Sequence, residues 1–507
     1  MTSSRVAVAA PNADAVLAAT EVALAGGNAV DAAVAAMLVA MVTEPGVVSP
    51  LGGGFVAVAT PSGEQVVVDG NVEMPGRGAS PERFGTGLRE VTTTYGGGLT
   101  LSVGHGSVAT PGAVAALGEA HARHGTAPWR EVLGPAIAVC RSGYRLGTAA
   151  GSYLAITGEE VFGWDAETRA ALTRADGGFV RPGDLVRSPD LASALEVLAG
   201  EGPSSLYTGA LARAGADDME ARGGLVTAAD LAAYRPVVRP GLAARVGSWA
   251  LSTNPPPAIG GPVLAAMLRL CADSPGGLGD VVDVQRRVLA YRSAHLDRAR
   301  DLEVAGRELW ELVRDRGVDG LPTSASTAHV SVVGGDGTAC AVTASSGYGS
   351  GATVPGTGLL LNNCLGEPEL NRLGVHALAP GTRLASNMAP TTGRSDDGAV
   401  LAVGSPGADR ITTALLQVLL AFSVGGRPLQ DAIDAPRVHV RLDPEVVLEH
   451  EEDVVGVADV ASALGMVTRS HPVNHMYFGG VGAALLGRDG SWQAAGDPRR
   501  AAATGVT

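Results

Sequence analysis

The chain has 507 residues and a formal net charge of −14 at pH 7, with an isoelectric point near 5.2 and no long basic run. That balance speaks against nucleic acid or an anionic membrane surface as partner. Apolar residues make up 46% but aromatics only 4%, so a large core has to be built from Ala, Val, Leu and Gly packed at close range.

Asn12 to Leu24 has helical spacing and stops at Gly26-Gly27, the residue type on which helices end. Asn28 is placed to cap the next helix, with Asp31 in the first turn, where the dipole favours an acid. The run Ala29 to Val42 is apolar nearly all round and too short to span a bilayer, so it is predicted buried, and Glu44-Pro45 ends it. Leu51-Gly-Gly-Gly-Phe55 leads into an alternating strand, Val56 to Ala59, with a second strand at Gln65 to Asp69. No Gly-Lys-Ser/Thr and no helix follow these glycines, which argues against a phosphate loop.

Thr110 to Val139 is helical again, interrupted from His124 to Trp129, and Ser188 to Gly200 carries another helix. Val226 to Tyr234 is a short helix with Thr227 as its cap. Trp249 to Thr253 is a strand, Asn254 to Gly261 a loop, Pro262 to Cys271 a helix, and Val281 to Val304 one long helical stretch. Arg307 to Ser326 is polar and holds Gly and Pro, as expected of an exposed tether that tolerates cleavage. Further on, strands are predicted at Gly358 to Leu361, Val400 to Val403, Val446 to His450 and Gly480 to Leu486, and a helix at Ile411 to Val424. The cysteines, Cys140, Cys271, Cys340 and Cys364, have neither metal-ligand nor disulfide-framework spacing and are expected as buried thiols. The N-terminus shows no secretory pattern, so a cytoplasmic location is expected. No His/Cys/Asp/Glu cluster suggests a metal, and no cofactor is expected.

The stretch from Ser324 to Gly351 holds the most chemistry. His329 to Val333 and Thr338 to Ser345 alternate as strands around a three-residue loop, Gly335, Asp336 and Gly337, with Gly337 left-handed. In that register Thr327 lies opposite Ser345 and His329 opposite Thr343. Thr327, His329, Ser331, Thr343 and Ser345 then share one polar face, whereas a loop of even length would turn Ser345 to the other face. A threonine hydroxyl is a weak nucleophile unless a base stands beside it. Making the threonine the first residue of a chain supplies its own α-amine. Here that requires the Ser326–Thr327 bond to break, and on spacing alone an ordinary Ser/Thr-rich hairpin fits as well.

The T-A-H-V-S-V-V-x-x-D-G-x-A-x-A-V-T segment resembles the start of the small subunit of γ-glutamyltranspeptidases, which are N-terminal-nucleophile hydrolases. Ala23 to Val58 is similar to the family's opening block. EARGGLVTAADLAAYRPVVRP and NPPPAIGG resemble its middle, and LLLNNCLGE, LASNMAPTT, GSPGADRI and GDPRR its C-terminal part, in the family's order. The resemblance implies a four-layer αββα sandwich. It also implies a precursor cut into a large subunit, 1–326, and a small catalytic subunit, 327–507, interwoven in one body, with a dimer of such pairs left open. In the family mechanism Thr327 attacks the Ser326 carbonyl, the ester hydrolyses, and the freed Thr327 then attacks a small-molecule amide. Ser345 stands for the threonine that bonds the nucleophile, with Thr343 beside it. Gly407 and Ala408 stand for the Gly-Gly pair whose N–H groups hold the oxyanion, and the alanine is expected to need a negative φ.

The substrate positions depart from the family. Asn71 or Val72 stands where the arginine that grips the glutamyl carboxylate belongs, and valine makes no bidentate contact with a carboxylate. Gly347 replaces an asparagine, Cys364 a Gln/Glu, Glu367 an aspartate, and Ser386-Asn387 a Ser-Ser pair. The resemblance therefore implies an acyl-transfer engine aimed at another acyl group. Relatives include cephalosporin acylases, oxamate amidohydrolases and enzymes that release an oxalyl-type fragment by C–C hydrolysis. The Lys-poor, Ala/Gly/Arg-rich composition points to a high-GC bacterium, where a role in specialised metabolism is plausible. A conventional γ-glutamyl hydrolase or transpeptidase and an inactive binding relative are the alternatives. His329 is expected to be structural rather than a base, His105, His475 and Tyr348 to pack, and Glu44 either to contact the Thr327 amine or simply to precede a proline turn.

Overall fold

Strands built from Ala, Val and Gly can be covered on both faces, and the chain uses them in that way. The computed structural model describes residues 5–93, 98–272, 277–315, 327–442 and 445–507. The strands that matter for the site are β1 (Val6–Ala10), β2 (Gly53–Ala59), β3 (Gln65–Gly70), β4 (Val237–Pro240), β5 (Leu242–Val246), β6 (Trp249–Thr253), β7 (Ala328–Gly334), β8 (Ala339–Ser345), β9 (Thr391–Ser395), β10 (Val400–Gly404), β11 (Gly482–Leu486), β12 (Trp492–Gly496) and β13 (Ala503–Val506). One sheet runs β13-β1-β7-β8-β2-β3-β4 and the other β12-β11-β10-β9-β6-β5, antiparallel throughout.

Successive side chains of a strand point to opposite faces, and the core divides accordingly. Ala328, Val330 and Val332 of β7 and Cys340, Val342 and Ala344 of β8 pack against helices α1 (Ala13–Leu24), α2 (Ala29–Thr43), α3 (Ala113–His124) and α4 (Trp129–Ser142). The opposite faces meet the second sheet, where Phe55, Ala57, Val333, Ala341, Ala402 and Ala484 form the filling. Beyond that sheet lie α5 (Gly260–Cys271), α6 (Leu278–Tyr291), α7 (Leu302–Asp315) and α8 (Arg410–Ser423). The result is the αββα layering. Residues before and after position 327 contribute strands to both sheets. Among the described residues no helix is long and apolar enough to cross a membrane.

The expected caps are present: Asn28 and Asp31 form a capping box, and so do Thr227 and Asp230. Asn12, expected as the first helical residue, is itself a cap and accepts from Ala15 N–H. The hairpin register is also as expected, with His329 opposite Thr343, Gly334 N–H bonded to the Thr338 carbonyl, and Gly337 at φ +85°. The stretch between Val281 and Val304 differs from the single helix expected. A π-turn at Arg292–Leu296 breaks it, and buried Arg292 turns to pair with Asp297 at 3.0 Å. The expected tether is also helical at first. Leu302, Ala305, Leu309 and Val313 fall on one face, three or four residues apart, and that face is buried. The remainder of the tether, 316–326, lies outside the described residues, and with it Ser326, the residue expected before the cut.

Asp31 ties the inner helix to the α3–α4 connection. Fully buried, it accepts from Asn28 N–H, from the N–H and hydroxyl of Thr126 and from Ala127 N–H at 2.9 to 3.0 Å. Asp31→Ala strands several donors, and the expected loss of stability is about 3 kcal/mol in denaturant unfolding.

Candidate active site

Thr327 sits directly before β7, 4% exposed, at the end of the inter-sheet space where the filling becomes polar. The pairing that sets His329 opposite Thr343 and Ser345 opposite Gly53 keeps the hydroxyls of Thr343 and Ser345 on the inter-sheet face with Thr327. Ser345 Oγ accepts from Gly347 N–H at 3.0 Å.

His329 links this face to the second sheet. Its Nδ1 lies 2.8 Å from the Thr343 hydroxyl and its Nε2 2.7 Å from Ser331 Oγ, while the Ser331 hydroxyl donates to the Gly482 carbonyl at 3.1 Å. Ser331 has a single proton and gives it to that carbonyl. Nε2 therefore carries the imidazole hydrogen, and Nδ1 accepts from Thr343. Burial pushes the imidazolium pKa down to about 3, so the ring is neutral and a poor base near pH 7. It is a structural link, and its ring packs where a Cβ on Gly404 would stand 2.2 Å away.

Two cavities meet at Thr327. One, of about 20 Å³, is lined by Asn71, Val72, Thr327, Ser345, Cys364, Glu367, Leu370, Ser386, Asn387 and Met388. The positions at which the sequence departs from the family pattern thus lie around one space. Gly347 does not line it but stands behind it, at φ +64°, and a Cβ there would lie 2.2 Å from Asn363 Oδ1 and 3.1 Å from Glu367 Oε1. Asn363 Oδ1 itself accepts from Tyr348 N–H, so this loop has no room for the family's asparagine without moving. Burial, reinforced by neighbouring Glu369, pushes the Glu367 carboxyl well above the ordinary carboxylate range. It therefore keeps its proton to higher pH than an ordinary carboxyl does. Burial, then the Glu367 charge, likewise raises the Cys364 thiol.

Behind this wall Arg383 is fully committed. It donates to the carbonyls of Asn71 at 2.7 Å and Arg235 at 2.6 Å, sits 3.3 Å from Glu73, and lies 4.5 Å over the Tyr234 ring. It braces the loop that carries Val72 and is not part of the described cavity lining.

The second cavity, of about 40 Å³, is lined among others by Glu44, Tyr153, Thr327, His329, Met476 and Arg500. Glu44 accepts from Asn12 Nδ2 at 2.7 Å. Burial raises its pKa to about 7 despite that bond and the Arg500 charge, both of which lower it. Pro406 also lines this cavity, at the start of the turn that enters α8. Gly407 has φ +120° and Ala408 φ +68°. The expected negative φ at Ala408 is therefore incorrect. The alanine is held in the left-handed region at a cost of about 1 kcal/mol, 1% exposed against the first-sheet core. The Gly407 and Ala408 carbonyls accept from Arg410 and Ile411 N–H. Their own N–H groups have no acceptor among the described residues. Placed at the positive end of a 14-residue helix, such donors suit a developing oxyanion.

The other candidates pack. His105 pairs with Asp218 at 3.0 Å, Tyr348 donates to Glu369 at 3.1 Å, and the ring nitrogen of His475 accepts from Tyr477 N–H at 3.3 Å. Sequence reasoning assigned no role to Tyr153, Met476 or Arg500. Arg500 lay inside a recognised motif, GDPRR, which was the one available signal; Tyr153 and Met476 carried none.

The family model described as gamma-glutamyltranspeptidase matches residues 15–305 and 284–506. The chain is similar to the acylase ACY 1 proenzyme of Pseudomonas sp. (strain SE83), 31% identical over 516 residues, covering 94% of this chain and 90% of that protein. It is also similar to the glutathione hydrolase proenzyme of Escherichia coli, 28% identical over 514 residues, covering 94% and 87%. Its fold superposes on the crystal structure of cephalosporin acylase from Bacillus halodurans with a TM-score of 0.82, over 100% of this chain and 96% of that one, at 22% identity.

The Glu44 pKa generates a pH prediction. An unfolded Glu44 loses its proton near the ordinary 4.5 and the folded one near 7, so between those values the folded state binds more protons and loses stability as pH rises. Replacing the group by a neutral amide removes that loss. Between pH 5 and 7, Glu44→Gln should gain about 2 kcal/mol relative to wild type in urea unfolding; a pH-independent difference contradicts this.

Proposed function

The chain belongs to the γ-glutamyltranspeptidase family of hydrolases and acyltransferases, and from that premise we propose that it is a self-processing enzyme with Thr327 as nucleophile. Thr327 Oγ attacks the Ser326 carbonyl, the acyl group moves from nitrogen to oxygen, and water hydrolyses the ester to free the Thr327 α-amine. The mature chain repeats this chemistry on a small-molecule acyl donor. The amine takes the hydroxyl proton, the Gly407 and Ala408 N–H groups hold the oxyanion, and water or an acceptor amine resolves the threonyl ester. Ser345 steadies the nucleophile. Thr343, whose proton goes to His329, stiffens the face on which it sits. The observation that carries the reading is that Thr327, at the junction of two cavities, shares one of them with Ser345 and with all the departing positions except Gly347.

The cavity that takes the acyl group is formed by Val72, Cys364, Glu367, Ser386 and Asn387. Among the described residues its lining holds no cation, Arg383 being occupied behind it, and its one acid, Glu367, is pushed towards its protonated form by burial. That chemistry supports an uncharged or weakly polar acyl group over free γ-glutamyl, joined through an amide-like or activated C–C bond, with specialised-metabolite precursors as the class of substrate. Glu367, Ser386 and Asn387 remain as polar groups for an amine, which favours the γ-glutamyl reading as the second choice. No cofactor takes part.

Intact-mass measurement tests the processing. With 50.8 kDa spread over 507 residues, wild type should give fragments of about 33 and 18 kDa, the smaller beginning at Thr327, and Thr327→Ala should stay whole. An intact wild-type chain overturns the proposal. With γ-glutamyl-4-nitroanilide, turnover below about 1 s⁻¹ is expected; rates of about 1 to 10³ s⁻¹ favour the second reading.

A further inference from the structure

The turn that carries Gly407 and Ala408 is tied to a buried ion pair that the proposed acyl chemistry does not use. Asp409 stands at the start of α8, where an aspartate ordinarily caps its helix by accepting from the first N–H groups, yet its side chain makes no such bond. The Arg410 and Ile411 N–H groups go to the Gly407 and Ala408 carbonyls instead, at 3.1 and 3.3 Å. The Asp409 carboxylate is thereby left for other partners. It pairs with Arg410 and stands 3.2 Å from His439 Nε2, and both Asp409 and His439 are fully buried.

His439 grips the first turn of α8 at two points. Its Nδ1 lies 3.1 Å from the hydroxyl of Thr413, which follows Asp409 by four residues and so shares its face of the helix. Gln417, four residues further on, continues that face by donating to the Val438 carbonyl at 2.7 to 2.9 Å from its own turn and accepting from Val438 N–H at 2.9 Å. The strand Val438–Arg441 is thus fastened along α8 by Asp409, Thr413 and Gln417. The hydrogens can be placed. Thr413 gives its proton to the Arg410 carbonyl at 3.2 Å, so His439 Nδ1–H donates to Thr413. A bare Nε2 would set its lone pair against a carboxylate oxygen, so a hydrogen lies between Nε2 and Asp409 Oδ2. Burial would raise the Asp409 carboxyl, but the charges of Arg410, His439 and Arg292 hold it below the ordinary range. The Tyr477 ring closes the arrangement, edge-on to His439 at 6.1 Å and 4.5 Å beneath the Arg410 guanidinium.

We propose that Asp409 and His439 are positioning residues for the oxyanion donors: by clamping the start of α8 they hold the Gly407 and Ala408 N–H groups in place while charge develops on the reacting carbonyl. This role rests on those N–H groups receiving the oxyanion. A left-handed alanine such as Ala408, at φ +68°, persists only where its surroundings over-determine it, and the clamp on the next residue supplies that constraint. Oxyanion donors work because they need no reorganisation at the moment of reaction. Loosening their turn therefore slows the chemical step and leaves the ground-state contacts of the acyl cavity as they were.

The test compares processed wild type with Asp409→Asn, His439→Gln, the two combined, and Thr413→Val. Fragment masses verify cutting, and a sulfonyl fluoride adduct on Thr327 counts competent sites. The substrates are 4-nitroanilides with acetyl, oxamoyl, glutaryl and γ-glutamyl acyl groups, and 4-nitrophenyl acetate. For any of them turned over, each charge variant should lose at least about tenfold in kcat per labelled site, with KM within about threefold of wild type. The double variant should be about as slow as the slower single one, because the two residues act as a unit. Thr413→Val keeps the charged pair and removes one of the two grips; it should lose about threefold in kcat at unchanged KM, and it decides the matter if the charge variants fail to assemble. Unchanged kcat, or a loss carried by KM, overturns the positioning role while the Thr327 adduct leaves the nucleophile in place. A properly cut wild type that turns over none of these carbonyls overturns the oxyanion reading, and this assignment with it.

Discussion

The structure depends on the register between β7 and β8. Because strand side chains alternate with a period of two, pairing His329 with Thr343 fixes the face of every residue from Thr327 to Val333 and from Ala339 to Ser345. A slip of one residue would send His329, Ser331 and Thr343 into the apolar helix layer and push Val330, Val332 and Val342 between the sheets. The three-residue loop closed at Gly337 holds the register at one end, and the Thr343–His329–Ser331–Gly482 hydrogen-bond chain holds it at the other. That chain also couples the two sheets, so the polar end of the inter-sheet space is rigid where Thr327 enters it.

Around this frame the site divides its charges sharply. Arg383, the arginine behind the cavity of Val72 and Glu367, is engaged beneath the Val72 loop, and Arg499 is held in the Arg437–Glu451–Asp497 cluster. Burial raises the acids close to Thr327, Glu44 to about 7 and Glu367 well above the ordinary carboxylate range. A nucleophile that relies on its own amine benefits from such surroundings, because neighbouring charge is what would shift that amine's pKa. The left-handed Ala408 belongs to the same pattern, a strained backbone position retained where two N–H groups stand at a helix start.

Much of this was legible in the sequence because the signals are local. Asn28, Asp31 and Thr227 announce their caps, and alternation with a Gly-Asp-Gly loop announces the hairpin and its register. The departing positions could be matched to motifs one by one, and the fold brings most of them to a single cavity. What escaped was tertiary. Nothing near Arg292 shows that it would bury itself against Asp297 and break a helix, and the polar residues after Arg307 conceal the apolar stripe of Leu309 and Val313. Ala408 gave no local sign of a positive φ, since the surrounding turn imposes it. Tyr153 and Met476 reach the second cavity from segments with no motif, and Arg500 is distinguished from Arg499 only by which side of a turn it leaves.

The central claim is that the hydroxyl of Thr327 becomes nucleophilic through an α-amine exposed in front of it. The most direct measurement is site mapping of a hydroxyl-directed electrophile, a sulfonyl fluoride, on the purified protein by peptide mass spectrometry. The account predicts one stoichiometric adduct, on Thr327 as the first residue of its fragment, with labelling that falls as the amine is protonated. Labelling absent from Thr327, or equal before and after the chain is opened, would contradict it.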